Sequence, residues 1–197
     1  MSQGERELQE KFSTKRRADA FYNNQMIDYL NEHMIQFIQR MQFLFISTSD
    51  ESGHCDSSFK AGDPGFVYVV DEKTLMYPEY RGNGVMASLG NIVENPHAGL
   101  LFIDFLQDQV GLHVNGRAKI LENDQLKNLI KQTEIDKLAQ FHQKRAERWV
   151  VIEVDEAYIH CSKHIPHLVD QKFLEDRSVD EPSKNTGDYF KVKSSHD

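Results

Sequence analysis

The sequence predicts a mainly β fold, an antiparallel barrel with flanking helices. Three observations carry that reading. About seven short β-prone segments follow one another, most of them joined by brief turns. Only one short helical pattern interrupts them, whereas a doubly wound α/β sheet needs a helix between most strands. Residues 110–120 also alternate cleanly. Val110, Leu112, Val114, Gly116, Ala118 and Ile120 fall on one face, and Gly111, His113, Asn115, Arg117 and Lys119 on the other, the pattern of a half-buried strand.

In chain order, the charged residues 5–21 predict a first helix. Met26, Leu30, Met34, Phe37 and Met41 recur at helical spacing behind a cap at Asn23 or Asn24. "FLFIST" (43–48) and "HCDSSFK" (54–60) read as strands around the turn "DESG". After the loop "AGDPG", "FVYVV" (66–70) and "TLMYP" (74–78) read as a second pair around "DEK". Val85, Met86, Leu89, Ile92 and Val93 predict one helical face, ended by "ENP", because proline disfavours helix in the residue before it. "AGLLFIDF" (98–105) reads as a buried strand. A long helix with Leu126, Ile130, Leu138 and Phe141 follows residues 110–120. "RWVVIEV" (148–154) is the last strand, and a short helix is expected near Glu156. No internal repeat is visible.

A chain of 197 residues suits one domain with a full core. Its 39% hydrophobic and 27% charged residues are ordinary for a globular protein. The net charge of -8 disfavours nonspecific nucleic-acid binding, which needs a basic surface to displace counterions. Two cysteines, Cys55 and Cys161, make no disulfide framework. The polar start "MSQGERELQE" is no signal peptide, and no apolar run approaches the ~18 residues of a membrane span. The expectation is a cytoplasmic protein with neither membrane nor nucleic acid as partner.

Three stretches carry candidate chemistry. "YRGNG" (80–84) precedes the helix expected from Val85. Its glycines let a ligand approach the backbone, Arg81 brings charge, Asn83 is placed to cap, and open helix amides suit a phosphate. A capped turn with a solvated arginine is the competing reading. "CDSSFKAGDPGF" (55–66) places Ser57, Ser58 and Lys60 near glycine-containing backbone; taken alone these residues read as a hairpin edge with a solvated lysine, and the functional reading is an anion site. "YIHCSKHIPH" (158–167) holds His160, Cys161, His164 and His167. His160 and His164 would share a helix face, but Pro166 breaks the helix and no second cluster completes a zinc set, so no metal is expected. No nucleophile–base pair declares itself.

The order of motifs adds what none carries alone. A helix is followed by "FLFISTSDESGHCDSS", "KAGDPGFVYVVDEKTLMYP", "RGNGVMASLGNIVENPHAGLLFID", "VNGRAKI" and "VIEVDEAYIHCSK". This succession resembles the pyridoxamine 5'-phosphate oxidase-like flavoproteins, the FMN-binding split-barrel superfamily. The likeness spans about residues 26–165, and "NIVENPHAGLLF", "LHVNGRAKI" and "DPGF" are its most specific pieces. It implies a six-stranded antiparallel split barrel and a homodimer with FMN in clefts between the subunits. The implied organisation is an N-terminal helical extension (1–25), an FMN-binding split-barrel domain (26–168) and a polar C-terminal tail (169–197).

The resemblance points to Ser58, Lys60, Arg81, Asn83 and Ser88 for the FMN phosphate, and to Phe66, Val67 and Tyr68 beside the flavin ring. Tyr77, Asn115, Arg117 and Lys163 are further candidates for the cleft wall. Gly84 and Val85 stand where relatives often place two basic residues, and Tyr68 where one is common. The C-terminal Trp and Arg pattern of true pyridoxamine phosphate oxidases is not recognisable, so that activity is not carried over. The implied function is an FMN-dependent oxidoreductase acting on a small-molecule substrate. The alternative is a non-catalytic flavin, deazaflavin or haem binding protein.

Overall fold

The computed structural model describes residues 2–143, 145–169 and Phe190. Two charged helices, α1 (Gln3–Lys11) and α2 (Lys15–Gln25), stand where one was expected. The chain turns between them at Ser13, in the left-handed region at φ 53. Arg6 ties the pair together through Asp19 at 2.6 Å. Helix α3 (Glu32–Arg40) begins later than its apolar spacing suggests. Its cap is Asn31, whose side chain accepts from the Met34 N–H at 3.0 Å, not Asn23 or Asn24. Met26 and Ile27, expected in that helix, instead form the short strand β1.

The sheet then builds in order: β2 (Phe43–Ser49), β3 (Cys55–Ala61), β4 (Tyr68–Asp71) and β5 (Thr74–Tyr80), the helix α4 (Ala87–Glu94), β6 (His97–Asp104) and β7 (Val110–Glu122). The expected long helix after β7 is broken into a 3₁₀ segment (Asn123–Asn128) and α5 (Gln132–Phe141). The last strand, β8 (Ala146–His160), runs well past residue 154. No helix starts at Glu156, because residues up to His160 stay paired with β7, His160 opposite Gly111. A single 3₁₀ turn, Ser162–His164, follows.

All eight strands lie in one antiparallel sheet of order β3-β2-β6-β7-β8-β5-β4, with β1 on β8. The sheet curls without closing, so the architecture is a split barrel with flanking helices, carrying eight strands where the resemblance implies six. The curl is sharpened at a β-bulge between Asn115 and Gly116, where β7 shifts register against β8.

The concave face packs Leu44, Ile46, Leu75, Leu100, Phe102, Leu112, Val114, Val150 and Ile152 against Met34, Phe37 and Ile38 of α3. A second cluster outside it joins Met76, Trp149 and Val151 to Leu126, Ile130 and Leu138. The alternation read over 110–120 holds from Leu112 to Lys119, whereas Gly111 on the other face is buried as well and Ile120 is half-buried. Phe190 lies within the segment read as a polar tail, yet it is fully buried in the main core. Its ring meets Phe37 edge-on at 5.2 Å, and its carbonyl accepts from the Asn31 amide.

Candidate functional site

The opening of the barrel brings together strands that share no ladder. β3 ends the strand order on one side and β5 lies next to the last strand on the other. Lys60 of β3 reaches across to Glu79 of β5, its ammonium donating to the carboxylate at 2.6 Å, with the two side chains only 19% and 12% exposed. Around this ion pair lies a cleft of about 520 Å³, a size within the roughly 300–1,000 Å³ of small-molecule sites. Ser58 and Lys60 line it from β3, Glu79 and Tyr80 from β5, and Glu147 and Arg148 from β8. The turn from Arg81 to Met86 and the start of α4, including Ser88, close the rest. Ser58, Lys60, Arg81, Asn83 and Ser88, drawn from two separate stretches of sequence, thus share one cavity.

Helix α4 is held in place from behind. Leu89 and Ile92 are buried in the core. Asn91 donates to the Thr48 hydroxyl at 3.0 Å and Asn95 to that of Ser49 at 2.9 Å. The helix begins at Ala87, later than expected, and its N-cap position is Met86 in the left-handed region at φ 55, with no side-chain cap. That conformation costs a non-glycine residue about 1 kcal/mol. It also leaves first-turn amides without a side-chain acceptor, the feature that suits an anion. Asn83 does not cap the helix. Its side-chain oxygen accepts from the Val85 N–H at 3.0 Å, capping the turn ahead of it. Val85 and Met86 are therefore exposed, as is Val93, and the predicted apolar face contracts to Leu89 and Ile92.

The two serines meet each other and an acid. The Ser58 and Ser88 hydroxyls are 2.7 Å apart, and both lie within donating distance of Asp56, at 3.0 and 3.1 Å. Two hydroxyl protons serve these three contacts, so both are engaged within the triad. Below the ion pair, the Tyr77 hydroxyl is buried without a hydrogen-bond partner among the described residues. Burial, with the Glu79 charge adding to it, pushes its pKa well above the ordinary value. Beside the cleft, the Tyr80 hydroxyl lies 2.8 Å from Nδ1 of the buried His142, and Arg145 stacks over the Tyr80 ring. Burial, then the Arg145 charge, lowers His142 to about 4, against a smaller opposing effect from Asp63.

The remaining candidates lie elsewhere. Phe66 and Val67 are core residues where the chain crosses from β3 towards β4. Tyr68 packs on the second cluster, beside Glu134. Asn115 donates to Glu156 at 2.8 Å and lines a separate shallow groove of about 470 Å³ with Cys55, His97 and Asp155. Arg117 is exposed on β7, and Lys163 is exposed in the terminal 3₁₀ turn. His160 lies on β8, not on a helix shared with His164, and its Nδ1 meets His113 Nε2 at 2.9 Å. Burial, then the neighbouring His160, lowers His113 to about 4. Among the described residues no group of three or more His, Cys, Asp or Glu is arranged to hold a metal ion. No helix among them is long and apolar enough to cross a membrane.

Sequence reasoning missed Asp56, Glu79, Arg148 and the Tyr80–His142 pair. Glu79 was within reach, since it follows Tyr77 at strand spacing and so shares its face. Arg148 carried no local signal, because the return of β8 beside β5 sets it opposite Glu79, and His142, at the end of α5, meets Tyr80 across a long sequence separation.

A family model described as pyridoxamine 5'-phosphate oxidase matches residues 30–161, two thirds of the chain. The chain belongs to the pyridoxamine 5'-phosphate oxidase family. None of the curated proteins matches it. Among solved structures it is similar to HupZ from Group A Streptococcus, at 19% identity over 66% of this chain and 93% of that one, with a TM-score of 0.49. It is also similar to General Stress Protein 26 from Bacillus anthracis, at 20% identity over 65% of this chain and 91% of the other, TM-score 0.45. A further similar chain is HutZ, the haem storage protein of Vibrio cholerae, at 16% identity over 66% and 93%, TM-score 0.43. Within the family's matched span lie all of the cleft's β3, β5 and α4 residues.

Proposed function

We propose that this member of the family is an FMN-binding flavoprotein, an oxidoreductase whose cleft takes the FMN phosphate and whose substrate is a small molecule. One observation carries the reading: Ser58, Lys60, Arg81, Asn83 and Ser88 line a single cleft beside a helix start that has no side-chain cap. The donor set fits a phosphate. Arg81 is an exposed cation at the rim, Gly82 and Gly84 keep the turn free of bulk, and Lys60 is the inner cation. Bound FMN would supply the redox chemistry. The chain's own part is to hold the phosphate with Arg81, Lys60 and the turn, while Ser58 and Ser88 fix the wall through Asp56.

The test compares FMN with riboflavin, which lacks the phosphate. A charge-assisted hydrogen bond is worth roughly 1.5–3 kcal/mol. Arg81→Ala and Lys60→Ala are each expected to weaken FMN by on the order of ten- to a hundredfold and to leave riboflavin almost unchanged. An equal loss for both flavins would assign these residues to the fold or the ring instead.

The same reading includes a homodimer. Its support is an aromatic patch on the convex face of β2, β3 and the end of β6. Phe43 stacks on Phe59 and on Phe105 at 5.4 and 6.1 Å, and Phe45 meets Phe59 at 5.6 Å. Phe59 is 59% exposed and Leu106 beside them 49%. Exposed apolar side chains grouped on a sheet face support the reading of an interaction surface. Light scattering at micromolar concentration is expected to give twice the chain mass of 22.9 kDa, and Phe59→Asp to give the single mass. A wild-type protein that binds FMN as a monomer would remove the shared cleft.

A further inference from the structure

We infer that Glu79 sets the ligand specificity of the cleft, by competing with a ligand phosphate for Lys60. The inference rests on the reading of the cleft as a phosphate site and adds the residue that tunes it. Three cations line the cleft, Lys60, Arg81 and Arg148, together with two carboxylates, Glu79 and Glu147. Asp56 stands behind the serines. A phosphate monoester brings a charge near −1.5 to −2. The cation closest to the interior is already neutralised, at 2.6 Å, by a carboxylate more deeply buried than itself.

A phosphate reaching Lys60 therefore meets Glu79 as well. The two anions then share one ammonium group in a region of low solvent exposure, where their repulsion is poorly screened. The serine hydroxyls do not relieve it, because their protons are engaged with each other and with Asp56. Nor does Tyr77, which is fully buried and does not line the cleft, its ring 5.9 Å from the Lys60 ammonium. The cleft consequently prefers a phosphorylated ligand over its unphosphorylated form by less than its cations alone would allow.

The experiment is an equilibrium titration of the full chain with FMN, riboflavin and inorganic phosphate. Wild type is compared with Glu79→Gln, which keeps the shape and an acceptor for Lys60 but removes the charge, with Lys60→Gln, and with the double variant Lys60→Gln/Glu79→Gln. Glu79→Gln is expected to bind FMN and inorganic phosphate about tenfold more tightly, with riboflavin unchanged. The double variant lacks the ammonium that both anions would share, so it is expected to bind phosphate about tenfold less tightly than Glu79→Gln, but more tightly than Lys60→Gln alone, whose unpaired carboxylate faces the ligand. It also serves if Glu79→Gln alone does not fold. Unchanged or weaker phosphate binding by Glu79→Gln, or a double variant that binds phosphate no more tightly than Lys60→Gln, would overturn the role of Glu79. Tighter phosphate binding by Glu79→Gln with no flavin bound by either protein would keep that role and overturn the flavin reading.

Discussion

Gly116→Ala is expected to remove at least about 3 kcal/mol of stability, and Gly116→Val to leave no folded protein. A Cβ at this position would lie 2.0 Å from the Glu153 carbonyl oxygen and 2.9 Å from its carbon. The obstacle is backbone and cannot rotate away. Gly116 faces Ala98 on β6 and Val154 on β8, so the strand is held on both sides and has no room to shift. Relief would require undoing the bulge that curls β7 and β8, in a domain whose whole stability is of order 5–15 kcal/mol. Urea denaturation of the two variants measures the effect. Gly90→Ala is the control, because the exposed α4 position has open space around it and gains helix propensity. Equal midpoints for Gly116→Ala and Gly90→Ala would show that the bulge tolerates a side chain.

Phe190→Ala is expected to cost about 3–5 kcal/mol, the range for a buried aromatic truncated to leave a cavity. For a chain of this size that lowers the melting midpoint by on the order of ten degrees. The ring is completely enclosed and packs edge-on against Phe37, itself a buried residue of α3. Its backbone carbonyl takes a hydrogen bond from Asn31, the residue that caps α3. The loss should thus reach the start of that helix as well as the core. Differential scanning calorimetry decides it: a shift no larger than that of a surface substitution, within about 0.5 kcal/mol, would mean the core closes without Phe190.

The parts legible in the sequence were those written in local pattern. The alternation from Val110 to Ile120, the turn at "DESG" and the stop at "ENP" each report a short-range preference, and β7, the β2–β3 hairpin and the end of α4 follow them. Residues 155–160 were harder. Asp155, Glu156 and His160 are polar, and it is the pairing of β8 with the thirteen-residue β7, and with β1 at Ala157 and Tyr158, that keeps this stretch extended. Met26 and Ile27 show the opposite conflict, apolar spacing that suits a helix overridden by pairing with Tyr158 and Ala157. In the cleft, the glycine turn and the lysine were visible as chemistry. Their shared location rests on the strand order, which puts β3 opposite β5, and no local signal records strand order. Phe190 was hidden by its polar neighbours in sequence, "KNTGDYFKVK".

The strand order also governs how the chain reaches this state. Phe45 pairs with Leu101 and Leu75 with Ile152, partners separated by roughly fifty to eighty residues, so long loops must close before these ladders form. Such topologies fold in milliseconds to seconds rather than microseconds. During that interval β2 and β3 can pair as a hairpin while β5 still lacks β8, and the aromatic Phe43–Phe45–Phe59 surface is exposed on a half-built sheet. Refolding yield should therefore fall as protein concentration rises, with the open hairpin as the species that associates wrongly.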